Sequence, residues 1–320
     1  MVFAVWCFTL LGCAGSVGPQ KATVPGAEVS IGNSSVRFAT AEEAAQILSR
    51  PDAFANHLSA FDRAIRTGER GTSKDAYLVY AGAQGLGWPA AEEAAWRGVL
   101  ARLADGLEGL VLPLPPEILL VRTTGKEEFG AAHTRGPAII LPTRRTGDPP
   151  TQLLALAAHE LFHIASRYAS PQWHDSAYAL LGFERHSSIA YPPALESLRI
   201  TNPDAFSMDH VIEIETHEKS MVRVAPILSS KLRLSEAVNA GGPMGIVRLG
   251  LLAPETGEVL DANKTDYHRR VGRNTSYVIH PEEAVADQFS LLLMRRTGAL
   301  AKVPAEPGLL DALEKMLSSP

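Results

Sequence analysis

The spacing of hydrophobic positions changes character near residue 117. Before it, Thr40 and Glu43 have the separation of a capping box, and Phe54, Leu58, Phe61 and Ile65 recur at intervals of four, three and four, the repeat of a helical face. A further helix is predicted from Pro89 to about Leu103. From Glu117 onward short apolar runs bounded by turn residues, EILLVRT at 117–123 and PAIILP at 137–142, read as half-buried or buried strands. Gly147-Asp148-Pro149-Pro150 then stops one element and starts another, since Asp148 can cap a helix and Pro149 suits its first position. That helix is expected over about 150–169. Short strand-like runs follow at 211–216, 222–228 and 246–252, a helix after Pro281, and a last helix over 308–317.

The chain has 320 residues, of which 46% are hydrophobic and 20% charged, which implies a globular body and excludes a disordered chain or a coiled coil. A net charge of -5 supplies no general attraction to nucleic acid, and none is expected as a partner. The first thirteen residues, MVFAVWCFTLLGC, are almost wholly apolar but fall short of the ~20 residues that span a bilayer, so they read as the core of an export signal. Leu10-Leu11-Gly12-Cys13 resembles a bacterial lipobox, which implies that Cys13 becomes the lipidated first residue of the mature chain. Cleavage there removes Cys7 and leaves no second thiol for a disulfide, a nucleophile or a metal ligand. The expected organisation is a signal peptide at 1–13, a flexible tether at 14–37, a helical region at 38–115 and a catalytic region at 116–320.

The chemistry concentrates in the helix predicted over 150–169, which carries His159-Glu160-Leu161-Phe162-His163. At ~100° per residue, positions i and i+4 lie about 40° apart and one turn along, so both imidazoles can reach one metal ion. Glu160 falls beside such an ion, where its carboxylate can take a proton from activated water. A hydrolytic zinc centre normally takes three protein ligands and keeps one position open, so another donor is needed. The segment His280-Pro281-Glu282-Glu283-Ala284-Val285-Ala286-Asp287 can supply it. Pro281 opens a helix, and an acid four residues after Glu283 can accept the N–H of a ligand histidine.

HELFH together with EEAVAD resembles the gluzincin metallopeptidases, the thermolysin-like branch of the zincins. The resemblance implies an α+β zincin-like core and one Zn2+ held by His159, His163 and Glu283. It also implies Glu160 as general base and Asp287 behind the ligands, with Glu282 competing for the third-ligand position. A metzincin instead requires Gly and His where Ser166 and Ala169 stand, and an aspzincin-like Gly-Thr-x-Asp is missing. The gap of about 120 residues between His163 and Glu283 exceeds that of thermolysin-like enzymes, so a β-rich insertion over about 170–275 is expected. The phrase NTSYVIHPEEAVADQF is similar to uncharacterised HExxH-containing bacterial lipoproteins.

Peptide hydrolysis also needs a donor to the developing oxyanion. Tyr267 and His268 are the first choices, with Tyr277 and His280 nearby. By analogy with zincins, residues 138–141 would form the strand that borders the cleft and pairs with substrate; an interior strand fits the same letters. His133, His174, His186, His210 and His217 read as surface or hydrogen-bonding residues. The sequence therefore points to a zinc peptidase acting on peptides or proteins, held at a bacterial envelope membrane by its lipid and facing the periplasm or exterior. The alternatives are an envelope lipoprotein with a structural or vestigial zinc site that acts as a binding module, and a zinc hydrolase acting on a non-peptide substrate.

Overall fold

The computed structural model describes residues 29–187, 189–240 and 245–318; Cys13, the signal segment and residues 14–28 of the expected tether lie outside them. The rest of that tether is structured. β1 (Val29–Ile31) and β2 (Ser34–Phe38) form an antiparallel hairpin around Gly32, whose φ of 57° suits the left-handed turn. Serines mask the pattern in the sequence, but Ile31 and Val36 are buried.

Helices α1 (Ala41–Leu48), α2 (Ala53–His57), α3 (Ala60–Thr67), α4 (Lys74–Gly82) and α5 (Ala90–Gly106) follow. Thr40 and Glu43 form the predicted capping box on α1. The four-three-four run divides between α2 and α3, because Asp52 caps the first and Ser59 with Asp62 boxes the second. The first sheet adds β3 (Gly85–Leu86), β4 (Glu117–Thr123), β5 (His133–Arg135) and β6 (Ala138–Pro142), in the order β1-β2-β4-β6-β5 with β3 on β4. β2, β4 and β6 are parallel, while β5 runs antiparallel to β6. Residues 138–141 are therefore interior, flanked on both sides and buried throughout; the edge strand on that side is β5. Its Thr134 main-chain groups are already bonded to side chains, the N–H to Asp204 (2.8 Å) and the carbonyl to Arg167 (3.0 Å).

After α6 (Thr143–Thr146) comes α7 (Pro150–Tyr168), with Pro149 at its N-cap and Pro150 in its first turn. Asp148 does not cap it, because its carboxylate is taken by Arg145 at 2.5 Å. α8 (Pro171–Ala179) leads into the expected β-rich region, a second and wholly antiparallel sheet. Its strands β7 (Phe183–Arg185), β8 (His210–Glu215), β9 (Met221–Ser230), β10 (Val247–Leu252) and β11 (Val259–Asp261) lie in the order β11-β10-β9-β8-β7. Short helices α9 (Pro193–Glu196), α10 (Leu234–Ala237) and α11 (Tyr267–Val271) decorate it, and α12 (Pro281–Arg296) and α13 (Pro307–Leu317) complete an α+β chain.

One core runs through α7 and α12. Every α7 residue from Leu153 to Ser166 is buried, Phe162 and Phe289 meet at 5.8 Å between ring centroids, and Ser290 Oγ donates to the Ala155 carbonyl at 2.8 Å. Within this apolar pair sit His159, Glu160 and His163, each 1% exposed, and Glu282 and Glu283, each 2%. Burying five such groups is strongly unfavourable unless they are paired.

Candidate metal centre

Leu- and Ala-rich sequence keeps α7 regular, so His159 and His163 stack one turn apart with ring centroids at 4.7 Å. Their Nε2 atoms are 3.0 Å apart. From α12, whose first turn Pro281 opens, Glu283 brings Oε2 to 3.1 Å from His159 Nε2 and 3.4 Å from His163 Nε2. One donor atom from each of the three residues lies within 4.8 Å of the others, a group able to hold a metal ion.

The opposite ring nitrogens are also engaged. Asp287 Oδ1 lies 2.9 Å from His159 Nδ1, and Thr275 donates to the other Asp287 oxygen. Glu282 Oε1 lies 2.7 Å from His163 Nδ1, while its Oε2 accepts from Ser166 Oγ (2.8 Å) and the Tyr178 hydroxyl (2.6 Å). Ionised carboxylates only accept, so both Nδ1 atoms carry hydrogen and both Nε2 lone pairs are presented to a cation when the rings are neutral. The two neighbouring acids thus divide the work, Glu283 on the Nε2 side and Glu282 behind His163. The His280 side chain keeps this turn in place: Nδ1 accepts from the Glu282 N–H and Nε2 donates to the Ser207 carbonyl, both at 3.1 Å.

Without a cation the centre is held together by protons. Burial disfavours charged imidazoles, yet the hydrogen bonds to Asp287 and Glu283 hold His159 up at about 9. Against the same burial, the charges of Asp204 and Glu283 keep His163 well above the usual imidazole range. Burial also opposes an ionised Glu283, but the His163 charge and the His159 hydrogen bond hold it well below the usual carboxylate range.

Glu160 stands apart. Burial, reinforced by the Asp204 charge, pushes its carboxyl upward, and its buried Oε2 has no hydrogen-bond partner among the described residues. With His159 and Glu283 it lines a cleft of about 1030 Å³. Gly130, Ala132 and Arg144 form one wall, Leu228 and Leu249 of the second sheet another, and Tyr277 to Ile279 a third.

The expected oxyanion donors separate. Tyr267 is fully buried and its hydroxyl donates to the Val278 carbonyl at 2.7 Å, so it braces the cleft wall and is not available to a substrate oxygen. His268 lines the cleft, as does Tyr277, whose ring centroid is 6.3 Å from that of His159. His174 donates to the Ser166 carbonyl at 2.8 Å, and His210 bridges Asp209 and Asp175. His133 is buried and not at the surface; burial and the Arg135 charge hold it well below the usual imidazole range.

Two features have no clear signal in the sequence. Asn202, in an irregular Thr-Asn-Pro-Asp stretch, donates to Glu283 Oε1 at 2.6 Å. Arg66 lies buried at the cleft between Glu128 (2.6 and 2.9 Å) and Asp62 (3.0 Å), and the Asp62 carboxylate also accepts from the Thr201 N–H and hydroxyl, each at 2.8 Å. Comparison of the chain with models of known protein families, with curated proteins and with solved structures found no match.

Proposed function

We propose that the protein is a zinc-dependent peptidase of the gluzincin type with a zincin-like core, in which His159, His163 and Glu283 hold one zinc ion. The observation that carries this reading is the convergence of His159, His163 and Glu283 beside a cleft that Glu160 also lines, its buried Oε2 having no hydrogen-bond partner among the described residues. Two imidazoles and a carboxylate suit zinc, and three protein donors leave room for solvent as hydrolytic sites do. A purely structural zinc site is normally closed by four protein ligands and has no use for Glu160.

Bound zinc supplies a Lewis acid that polarises a carbonyl and acidifies water. Glu160 accepts the proton of the attacking water on its carboxylate and returns it to the leaving amine nitrogen, one carboxyl serving both transfers. Burial raises its basicity toward neutrality, which suits that exchange. Asp287 and Glu282 hold the ligand rings in the binding tautomer, and His268 and Tyr277 line the cleft. An oxyanion donor contributes ~3 kcal/mol to such a reaction.

The test is metal content and turnover of a casein or peptide-library substrate. Glu160→Gln retains one zinc per chain and loses turnover ~100-fold or more; turnover equal to the parent removes Glu160 from the mechanism. The proposal extends to the N-terminus, with Cys13 lipidated at a bacterial envelope membrane; no helix among the described residues is long and apolar enough to cross one. Cys13→Ser then moves the protein from the membrane to the soluble fraction, and unchanged fractionation refutes the anchor.

A further inference from the structure

The two oxygens of Glu283 have different surroundings. Oε2 faces the paired Nε2 atoms, while Oε1 accepts the Asn202 side-chain amide at 2.6 Å. Asn202 comes from the second-sheet region, 81 positions before Glu283. Its amide orientation is set, because Oδ1 accepts the Asp204 N–H at 3.1 Å and leaves Nδ2 to meet the carboxylate.

The segment 201–204 that carries Asn202 is tied down on both sides. Thr201 donates twice to Asp62 and its carbonyl accepts from Arg66 at 2.8 Å. At the other end Arg167 donates to the Pro203 carbonyl at 3.0 Å, and the Asp204 carboxylate accepts from Thr134 and Arg167. The segment that carries Asn202 is therefore anchored by residues outside α12.

We infer that Asn202 is a positioning residue for the third metal ligand: it occupies Oε1, so that Glu283 offers only Oε2 to the metal ion. A glutamate can coordinate through one oxygen or through both, and the second would fill a position that hydrolysis needs for water and substrate. The inference rests on the metal reading above. Groups of this kind behind a ligand typically change metal affinity 10–100-fold when removed.

The experiment compares the parent with Asn202→Ala and with the isosteric Asn202→Asp, each shown to be folded by circular dichroism. Zinc affinity is measured by chelator competition, and coordination by the visible absorption of the Co2+-substituted protein. Asn202→Ala is expected to bind zinc 10–100-fold more weakly and to lose intensity in its cobalt bands as Glu283 becomes bidentate and coordination number rises. Asn202→Asp, with a carboxylate against Oε1, is expected to lose more affinity than Asn202→Ala. A folded variant with parental zinc affinity and an unchanged cobalt spectrum overturns the positioning role. A parent that binds neither metal removes the metal reading itself, and this inference with it.

Discussion

Two clusters of buried charge line the same cleft and are built to opposite ends. Around Arg66 the guanidinium is shared by Asp62 and Glu128, and each of the four carboxylate oxygens accepts at least one hydrogen bond. Around His159 and His163 two ring nitrogens face each other at 3.0 Å across one carboxylate oxygen, and Glu160 keeps an oxygen with no partner among the described residues. The first network is closed, so its value is the rigidity it gives the segment holding Asn202. The second needs protons or a cation to be stable at all. Similar burial thus serves opposite purposes, and the unsatisfied atoms distinguish them.

Breaking the closed cluster has the largest expected effect. Arg66→Leu leaves Asp62 and Glu128 buried without their cation and lowers stability by ~3–5 kcal/mol in denaturant titrations; a loss below ~1 kcal/mol would mean the cluster is not closed in the sense described. The open cluster responds to pH instead. His159 titrates at about 9 in the metal-free fold, above the ordinary value near ~6.5, so its contribution is fully present below ~6.5 and lost as pH rises through about 9. If the centre holds zinc as proposed, the ion needs neutral imidazoles, so its stabilisation would grow across the same window. The melting-temperature gap between zinc-loaded and metal-free protein should therefore widen from pH 6.5 to pH 9; a constant gap would place no exchangeable proton on the rings. The smallest effect belongs to Tyr267→Phe, which removes the bond to Val278 and lowers stability by ~1 kcal/mol with zinc content unchanged. A 100-fold loss of turnover at parental stability would return the Tyr267 hydroxyl to the chemistry.

Much of the helix pair was legible because helical spacing is rigid: HELFH fixes two imidazoles on one face, and Pro281 announces the start of α12. Glu282 and Glu283 were not separable that way, since both lie in one buried turn and only the nitrogen each meets tells them apart. The apolar run at 138–142 could not report its place in the sheet, because a covered edge and an interior strand bury the same letters. The β1–β2 hairpin was hidden by its serines, and Ser59 divided a helical face that hydrophobic spacing alone joins. Asn202 and Arg66 act through partners 81 and 62 positions away, a range that no local pattern covers.

The covering of β5 has a consequence for self-association. An open sheet border normally invites another chain to zip onto it, and natural proteins blunt that invitation in various ways. At Thr134 both main-chain groups are already claimed by Asp204 and Arg167, so an incoming strand would have to displace a carboxylate and a guanidinium before gaining its first rung. The same two side chains that steady the ground beside Asn202 therefore also seal this border against polymerisation.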